Sequence, residues 1–292
     1  MRPYTLCSVA PGTAYDAFAV TTFTATDDNG LPPDYTAFFA VPGGIAGYAA
    51  EGRADVYADP SPGEGFAAPK TVRMAPGHDL VVAVTIGTDT YAIGYTATIG
   101  EATCYTTSSG EPAPVGTLAL PKGATTLLPY QGWDNGAWLG GSYLLVYDTT
   151  TGAVGTYQLT ASGGTVIATP VWRPSKPWAE GWTRVAPFAL GTANYFIKTN
   201  TKYGHAFIDH LVDDASQGSH PAAKDVPLPL DLTAVTTFVV DRDPCLATYL
   251  AGAATFSRFW GDVQGWTQGA AENVVPDASF AVAVGGSTVL FY

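Results

Sequence analysis

Positive charge, cysteine and long apolar runs are all scarce in this sequence. Lys and Arg together number 13 against 25 Asp and Glu, which gives a net charge of −12 over 292 residues. A nucleic-acid partner or an anionic membrane surface calls for a basic face, so this charge balance disfavours both. No run of 18 apolar residues is present, so we predict no segment that spans a membrane as a helix.

The cysteines are few and unpatterned. An odd number of cysteines forbids complete pairing within the chain, and no spacing matches a zinc site or a CxxC motif. We expect them to be buried as small hydrophobic residues, with at most one disulfide. They are Cys7, Cys104 and Cys245. The first residues contain no apolar signal segment. Few lysines with many Gly and Thr favour a secreted or lumenal protein whose signal peptide is absent from this chain.

Long amphipathic helices are missing as well. The apolar segments are short, rich in β-branched and aromatic residues, and separated by turn formers among the 33 Gly and 22 Pro. Several segments are apolar on both faces, as in strands buried between packed sheets. The sequence therefore predicts an all-β fold.

One internal repeat is sharp. Tyr91 precedes Gly100 by nine residues, and the same pair recurs twice, each time 52 residues later. The later pairs are Tyr143 with Gly152 and Tyr195 with Gly204. A strand precedes each Tyr and another follows each Gly, so we expect the glycine to supply a positive φ in a hairpin turn.

Units of this length with several strands each are typical of a β-propeller, and a stacked solenoid is the competing architecture. Weaker copies flank the three clear ones, giving five internal units and a sixth divided between the two ends of the chain. Closure of a ring would protect the edges of the sheets, which favours the propeller. We thus predict a single six-bladed β-propeller domain over residues 1–292, closed by N- and C-terminal strands that share one blade. The expected units are 15–67, 68–122, 123–180, 181–231, 232–274, and 275–292 with 1–14.

Candidate polar residues lie where propellers present ligand-binding loops. His78 falls in a loop before an innermost strand, beside Asp79, and His205 follows the repeat glycine with Tyr203 nearby. We take His78, His205 and Tyr203 as candidate catalytic hydrogen-bond donors, with Asp79 or Asp16 to orient them. Each is also explained as an ordinary surface, turn or satisfied residue. No spacing indicates a metal or a cofactor.

Aromatic residues are distributed unevenly. All seven Trp fall between residues 133 and 266, and three lie within the segment WRPSKPWAEGW. We interpret Trp178, Trp182, Tyr130 and Trp133 as one aromatic pocket for a small apolar substrate at the mouth of the propeller. The alternative is that these side chains cover the seams between blades.

The repeated residues are structural, whereas Trp, His and Arg are out of register between units. This asymmetry favours a single site over the several equivalent sites of a multivalent lectin. No pair of carboxylates suits a glycoside hydrolase.

In unit number and length the chain resembles six-bladed fungal lectins that bind fucose, but their recurring Arg, Glu and Trp set is not visible. Two isolated pairs contain parts of that set, Glu51 with Arg53 and Glu180 with Trp182. The chain also looks like fungal propeller enzymes that build tropolonic sesquiterpenes, in all-β composition and unequal blades. That resemblance implies a cofactor-free hetero-Diels–Alder reaction between a tropolone quinone methide and a sesquiterpene olefin. Our leading hypothesis is this cyclase, the alternative is a carbohydrate-binding lectin, and the third is a structural or interaction propeller.

Overall fold

A computed structural model describes the chain apart from residues 12–17, 27, 135–136, 175, 191–192, 212–218, 224–225, 227, 230, 261 and 286. For strand residues 11, 133–134, 137–140, 211, 219–223, 259–260 and 262–270 it describes the backbone alone. Over these ranges the fold is built entirely from β-strands, and no helix is present. The all-β prediction is confirmed.

The described chain forms twenty-four strands in six four-stranded sheets. In chain order they are β1 Tyr4–Pro11, β2 Phe18–Ala25, β3 Tyr35–Val41, β4 Gly44–Ala49, β5 Arg53–Ala58, β6 Lys70–Arg73, β7 Leu80–Ile86, β8 Asp89–Thr96, β9 Glu101–Thr106, β10 Ala113–Ala119, β11 Thr126–Asp134, β12 Ala137–Tyr147, β13 Val154–Ser162, β14 Thr165–Trp172, β15 Trp182–Leu190, β16 Ala193–Asn200, β17 His205–Leu211, β18 Ser219–Ala223, β19 Ala234–Val240, β20 Asp243–Leu250, β21 Ala253–Trp260, β22 Asp262–Asn273, β23 Ala281–Val284 and β24 Thr288–Phe291.

The six sheets are the blades of a propeller. Blades 1 to 5 each contain four consecutive antiparallel strands, starting at β3, β7, β11, β15 and β19. The first strand of every blade contacts the first strand of the next, and β23 of blade 6 returns to β3 of blade 1. These contacts close a ring around a central axis. The predicted six-bladed propeller is confirmed.

Blade 6 joins the two ends of the chain in the order β23, β24, β1, β2. Thr5 pairs with Phe291 and Ser8 with Thr288, so the termini are held by a regular antiparallel ladder. We expected the two ends of the chain to share one blade, and they do. The predicted boundary of the first unit, at residue 15, differs from the structure. Strand β2, expected to open the unit 15–67, pairs with β1 and forms the outer edge of blade 6. The alternation of apolar and polar residues identifies this strand in the sequence but carries no information about which strand it pairs with.

The repeat occupies equivalent places in blades 2, 3 and 4. Tyr91, Tyr143 and Tyr195 lie on the second strands β8, β12 and β16. Gly100, Gly152 and Gly204 follow those strands with φ of 72°, 72° and 71°. The expected positive φ is confirmed, and it explains why glycine recurs there.

Hydrophobic clusters fill the seams between blades. Cys104 lies in the cluster shared by blades 2 and 3, and Cys7 and Cys245 lie together between blades 5 and 6. All three thiols are free and fully buried. They act as small apolar residues, as expected, and no disulfide forms.

Buried tyrosines connect neighbouring blades. In five blades, a tyrosine near the end of the second strand donates its hydroxyl hydrogen to a backbone carbonyl of the loop leading into the next blade. We call these five residues the latch tyrosines: Tyr48, Tyr95, Tyr147, Tyr249 and Tyr292.

Blade 4 departs from this pattern. Thr199, 52 residues after Tyr147, stands at the latch position, and among the described residues its hydroxyl has no hydrogen-bond partner. Arg184, which pairs opposite Thr199, instead donates from Nε to the carbonyl of Thr233 at 2.7 Å. An arginine therefore holds the start of blade 5 where the other blades use a tyrosine.

Candidate functional site

The ring has two ends with different architecture. We call the end that carries the blade-to-blade loops and the repeat glycines the loop end. The opposite end, which carries the turns between the first and second strands of each blade, is the turn end. Backbone hydrogen bonds join the loops to the glycines, as in Trp178 N to Gly152 O at 2.9 Å.

His78 lies at the loop end, in the loop that enters blade 2, and is 6% exposed. Its ring covers Gly94, where a Cβ atom would come within 2.3 Å of the imidazole. Nε2 lies 2.9 Å from the hydroxyl of Tyr105, and the backbone N–H donates to the Tyr48 hydroxyl at 3.1 Å. Burial lowers the pKa of His78, and the nearby Asp79 charge partly offsets that effect. The imidazole is thus enclosed by protein, as in a satisfied core histidine.

Trp178, Trp182 and Tyr130 are brought together in one cluster between blades 3 and 4. Trp182 is 4% exposed, and Trp178 is half-buried. The ammonium of Lys198 lies 4.4 Å from the ring centroid of each Trp and 2.6 Å from Asp209. Burial lowers the pKa of Lys198, while Asp209 opposes that shift. These two indoles therefore enclose an internal ion pair and fill a seam, which is the alternative considered from the sequence.

Tyr203 and His205 lie at the loop end of blade 4, and both are exposed. Lys202 lies over the Tyr203 ring at 5.2 Å and also pairs with Glu180. His205 contacts Phe207, with ring centroids 5.5 Å apart. Blade 3 separates this pair from His78, so the structure does not bring the three candidate catalytic residues together.

The remaining candidates have separate positions. Asp79 accepts a hydrogen bond from the Ala97 backbone at 2.7 Å and so fixes a turn. Asp16 lies outside the described residues. Trp133 lies one residue before the end of strand β11, where its backbone pairs with Trp138, and its side chain is likewise outside the description.

At the turn end, two cavities lie beside strand β15. The first, of about 260 Å³, lies between blades 3 and 4. Phe188 and Tyr195 in its wall are stacked at 5.5 Å, and Tyr130 in its wall stacks at 5.4 Å on Tyr143 behind it. The lining residues are Pro129, Tyr130, Gln131, Pro187, Phe188, Ala189, Asn194 and Tyr195.

The second cavity, of about 470 Å³, lies between blades 4 and 5. Most of its lining is apolar, and its charged residues, Arg242 and Asp243, lie at the turn between β19 and β20. The lining residues are Pro187, Phe188, Ala189, Leu190, Thr237, Phe238, Val239, Arg242, Asp243 and Pro244.

The two cavities share Pro187, Phe188 and Ala189, so we treat them as two halves of one groove. Side chains fix the strands on either side of it. Asn194 donates to the carbonyl of Gln131, and Thr237 donates to the carbonyl of Pro187. These bonds occupy carbonyls on the inner edges of the blades.

Among the sequence candidates, Tyr130 lines the groove, whereas His78, Trp178, Trp182, Tyr203 and His205 do not. The sequence did hold one signal for the missed residues. Pro129 and Pro187 interrupt strand patterns, and proline within a strand marks an exposed edge. Such an edge is where the first strand of a blade faces the central axis.

A third cavity of about 210 Å³ lies at the loop end between blades 2 and 3. Lys122, Asp148 and Arg173 are its charged lining residues. Arg173 donates to the Tyr157 hydroxyl at 2.8 Å, and Asp148 caps the turn at Thr150 and Thr151. It is smaller than either half of the groove and two of its charged groups already have partners.

Within the described ranges, no three His, Cys, Asp or Glu side chains are grouped so as to hold a metal ion. The same part of the chain contains no helix long and apolar enough to cross a membrane.

Comparison with known proteins establishes the fold. No protein-family model matches the chain, and no curated protein sequence matches it. The chain is similar to BBS1N, solved in complex with ARL6DN, at 10% identity over 93% of this chain and 82% of that chain, with a TM-score of 0.51. It is also similar to a functionally unknown protein from Desulfotomaculum acetoxidans DSM 771, at 12% identity over 92% and 80% of the two chains, with a TM-score of 0.52. At such identities these likenesses show a propeller fold alone.

Proposed function

We propose that this propeller binds a small, largely apolar molecule in the groove at the turn end of blades 3 to 5. The observation that carries the proposal is the pair of adjoining cavities, about 260 and 470 Å³, lined by aromatic, proline and aliphatic side chains. Small-molecule sites are concave and mostly apolar, with a few polar groups that orient the ligand. Gln131, Asn194 and Arg242 are such groups here.

A single site fits the groove better than repeated sites do. Its residues come from three neighbouring blades, and the residues that recur from blade to blade have structural contacts instead. Tyr95 and Tyr147 act as latches, and Gly100 and Gly152 form turns. A lectin with one sugar per blade would need a repeated set of stacking and polar residues.

The division of the groove into two halves also suits a reaction between two apolar molecules. In a hetero-Diels–Alder reaction, a heterodiene and an olefin form two σ bonds at the expense of π bonds, and no atom leaves. The protein has only to hold the partners in contact, and such positioning can lower a barrier by about 7–11 kcal/mol. Cycloaddition by a cofactor-free cyclase is therefore our hypothesis for the chemistry of the groove.

The binding proposal is tested by calorimetric titration with 1-naphthaleneacetamide, a neutral apolar probe. Ala189 is exposed and lines both halves of the groove, so Ala189→Trp should fill it. We expect one molecule to bind per half at most, and the variant to lose at least about tenfold in affinity. Ile167→Trp is the matched control, because Ile167 is 48% exposed on the outer strand of blade 3.

Equal loss in both variants, or no binding to the wild type, would overturn the proposal. A glycan panel analysed by native mass spectrometry provides the second comparison. Several sugars bound per chain would make the protein a lectin. If neither a sugar nor the apolar probe binds, the remaining hypothesis is a structural or interaction propeller. Offering a tropolone–sesquiterpene extract tests the reaction, because an enzyme would release an adduct whose mass is the sum of its reactants.

A further inference from the structure

We infer that the ligand of the groove carries a negatively charged group, such as a carboxylate, and that Arg242 binds it. This inference deepens the proposed function and rests on it. It concerns the larger half of the groove, between blades 4 and 5, where Arg242 is the cationic lining residue.

Arg242 lies in a strained turn. Val240 pairs with Asp243, so Asp241 and Arg242 alone form the turn between β19 and β20. Their φ angles are 49° and 73°, in the left-handed region that usually selects Asn and Gly in such turns. The equivalent turns of blades 1 and 2 contain Gly43 and Gly87. The stability of the turn therefore does not explain an arginine at this position.

The charged side chains around the turn leave the Arg242 guanidinium available to bind an anionic ligand. Asp243, the acidic residue of the same lining, pairs with the buried Arg258 at 2.6 Å. Within the part of the chain that the structure describes, Arg242 has no carboxylate within 4 Å. In a protein of net charge −12, an unpaired guanidinium beside an apolar cavity is a local site for an anion.

The neighbouring side chains define the rest of the ligand. Val239 is 50% exposed, and with Leu190 and Phe188 it offers apolar surface next to the guanidinium. An arginine can bind a carboxylate through two parallel N–H···O bonds, which fixes orientation as well as charge. The site therefore suits an aromatic or aliphatic acid whose apolar body lies in the groove and whose carboxylate lies at its rim.

The test compares two probes of nearly equal shape, 1-naphthylacetic acid and 1-naphthaleneacetamide, with the full chain. We expect the wild type to prefer the acid by about tenfold at low salt, and the preference to shrink as salt rises. Arg242→Gln should abolish the preference for the acid over the amide. Arg242→Lys should retain part of it.

Arg73→Gln is the control for net charge. Arg73 is exposed at the end of the outer strand of blade 1, away from the groove, and its loss changes the charge by the same amount. We expect this variant to keep the wild-type preference for the acid. An equal effect of both substitutions would reduce the preference to general electrostatics and overturn the role of Arg242.

The two proposals fail in different ways. If both probes bind the wild type equally and Arg242→Gln changes nothing, the groove binds apolar molecules but the inferred anion site is wrong. If neither probe binds, the proposed function is wrong, and the inferred anion site, which depends on it, is wrong as well.

Discussion

The hydroxyl of Tyr147 in blade 3 donates a hydrogen bond to the backbone carbonyl of Ala179 at 2.7 Å, across the boundary with blade 4. The same hydroxyl accepts a hydrogen bond from the backbone N–H of Trp182 at 3.4 Å. One buried side chain thus satisfies two backbone groups of the loop that enters the next blade. The repeated latch tyrosines fix the position of each blade relative to its neighbour.

We expect Tyr147→Phe to lower the free energy of unfolding by about 1–2 kcal/mol, because the substitution leaves buried backbone groups without partners. Denaturant unfolding followed by tryptophan fluorescence measures the change. Tyr203→Phe is the matched control, since Tyr203 is 52% exposed and should tolerate the loss of its hydroxyl. Equal stability of the two variants would contradict the role of the latch.

The sequence predicted the ring because its signals are local and repeated. Tyr91 and Gly100 keep their spacing in two further copies, and the glycine is required by a positive φ. The assignment of β2 needed a different kind of information. Strand Phe18–Ala25 is bounded and patterned like any other strand, but its partner β1 is decided by closure of the whole ring.

His78 should make stability depend on pH. Burial places its folded-state pKa below the unfolded value of about 6.5. Above that pH the histidine is neutral in both states. As the pH falls below about 6.5, the unfolded state takes up the proton first, so the free energy of unfolding falls until the folded-state pKa is reached.

Unfolding of the wild type and of His78→Gln, compared between about pH 7.5 and pH 5, isolates this contribution. The difference in unfolding free energy between the two proteins should change in that window, with the wild type losing more stability on acidification. Parallel pH profiles would show that His78 is not held neutral by its enclosure between Gly94 and Tyr105.

Arg242→Gly should stabilise the fold while weakening acid binding. Glycine adopts a φ near 73° without strain, and relief of left-handed strain in an ordinary residue is worth about 1 kcal/mol. Thermal unfolding and titration with 1-naphthylacetic acid measure the two effects. Lower stability in the variant would mean that the arginine supports the turn, contrary to our account.

The three thiols should be inert in the folded protein. Burial raises the pKa of Cys7, Cys104 and Cys245 to about 12 each, so the reactive thiolate is scarce. A colorimetric disulfide reagent at about pH 8 should therefore label no cysteine before denaturation and all three afterwards. Rapid labelling of one cysteine in native protein would indicate that its seam opens.

The candidate site was less accessible to sequence reasoning than the fold. Trp178 and Trp182 stand out in a sequence, but whether an indole faces solvent or a neighbouring blade depends on packing, and here both contact Lys198. Ala189 and Val239 have no distinctive pattern. These residues line a groove only because the fold places strand β15 between blades 3 and 5.

The most direct test of the account is where a ligand contacts the chain. A diazirine derivative of 1-naphthaleneacetamide, activated by light and mapped by peptide mass spectrometry, reports this. We expect labels within residues 187–190 and 237–244 and competition by the unmodified amide. Labels concentrated at the loop end around Trp178 and Tyr203, or spread equally over the six blades, would contradict a single groove at the turn end.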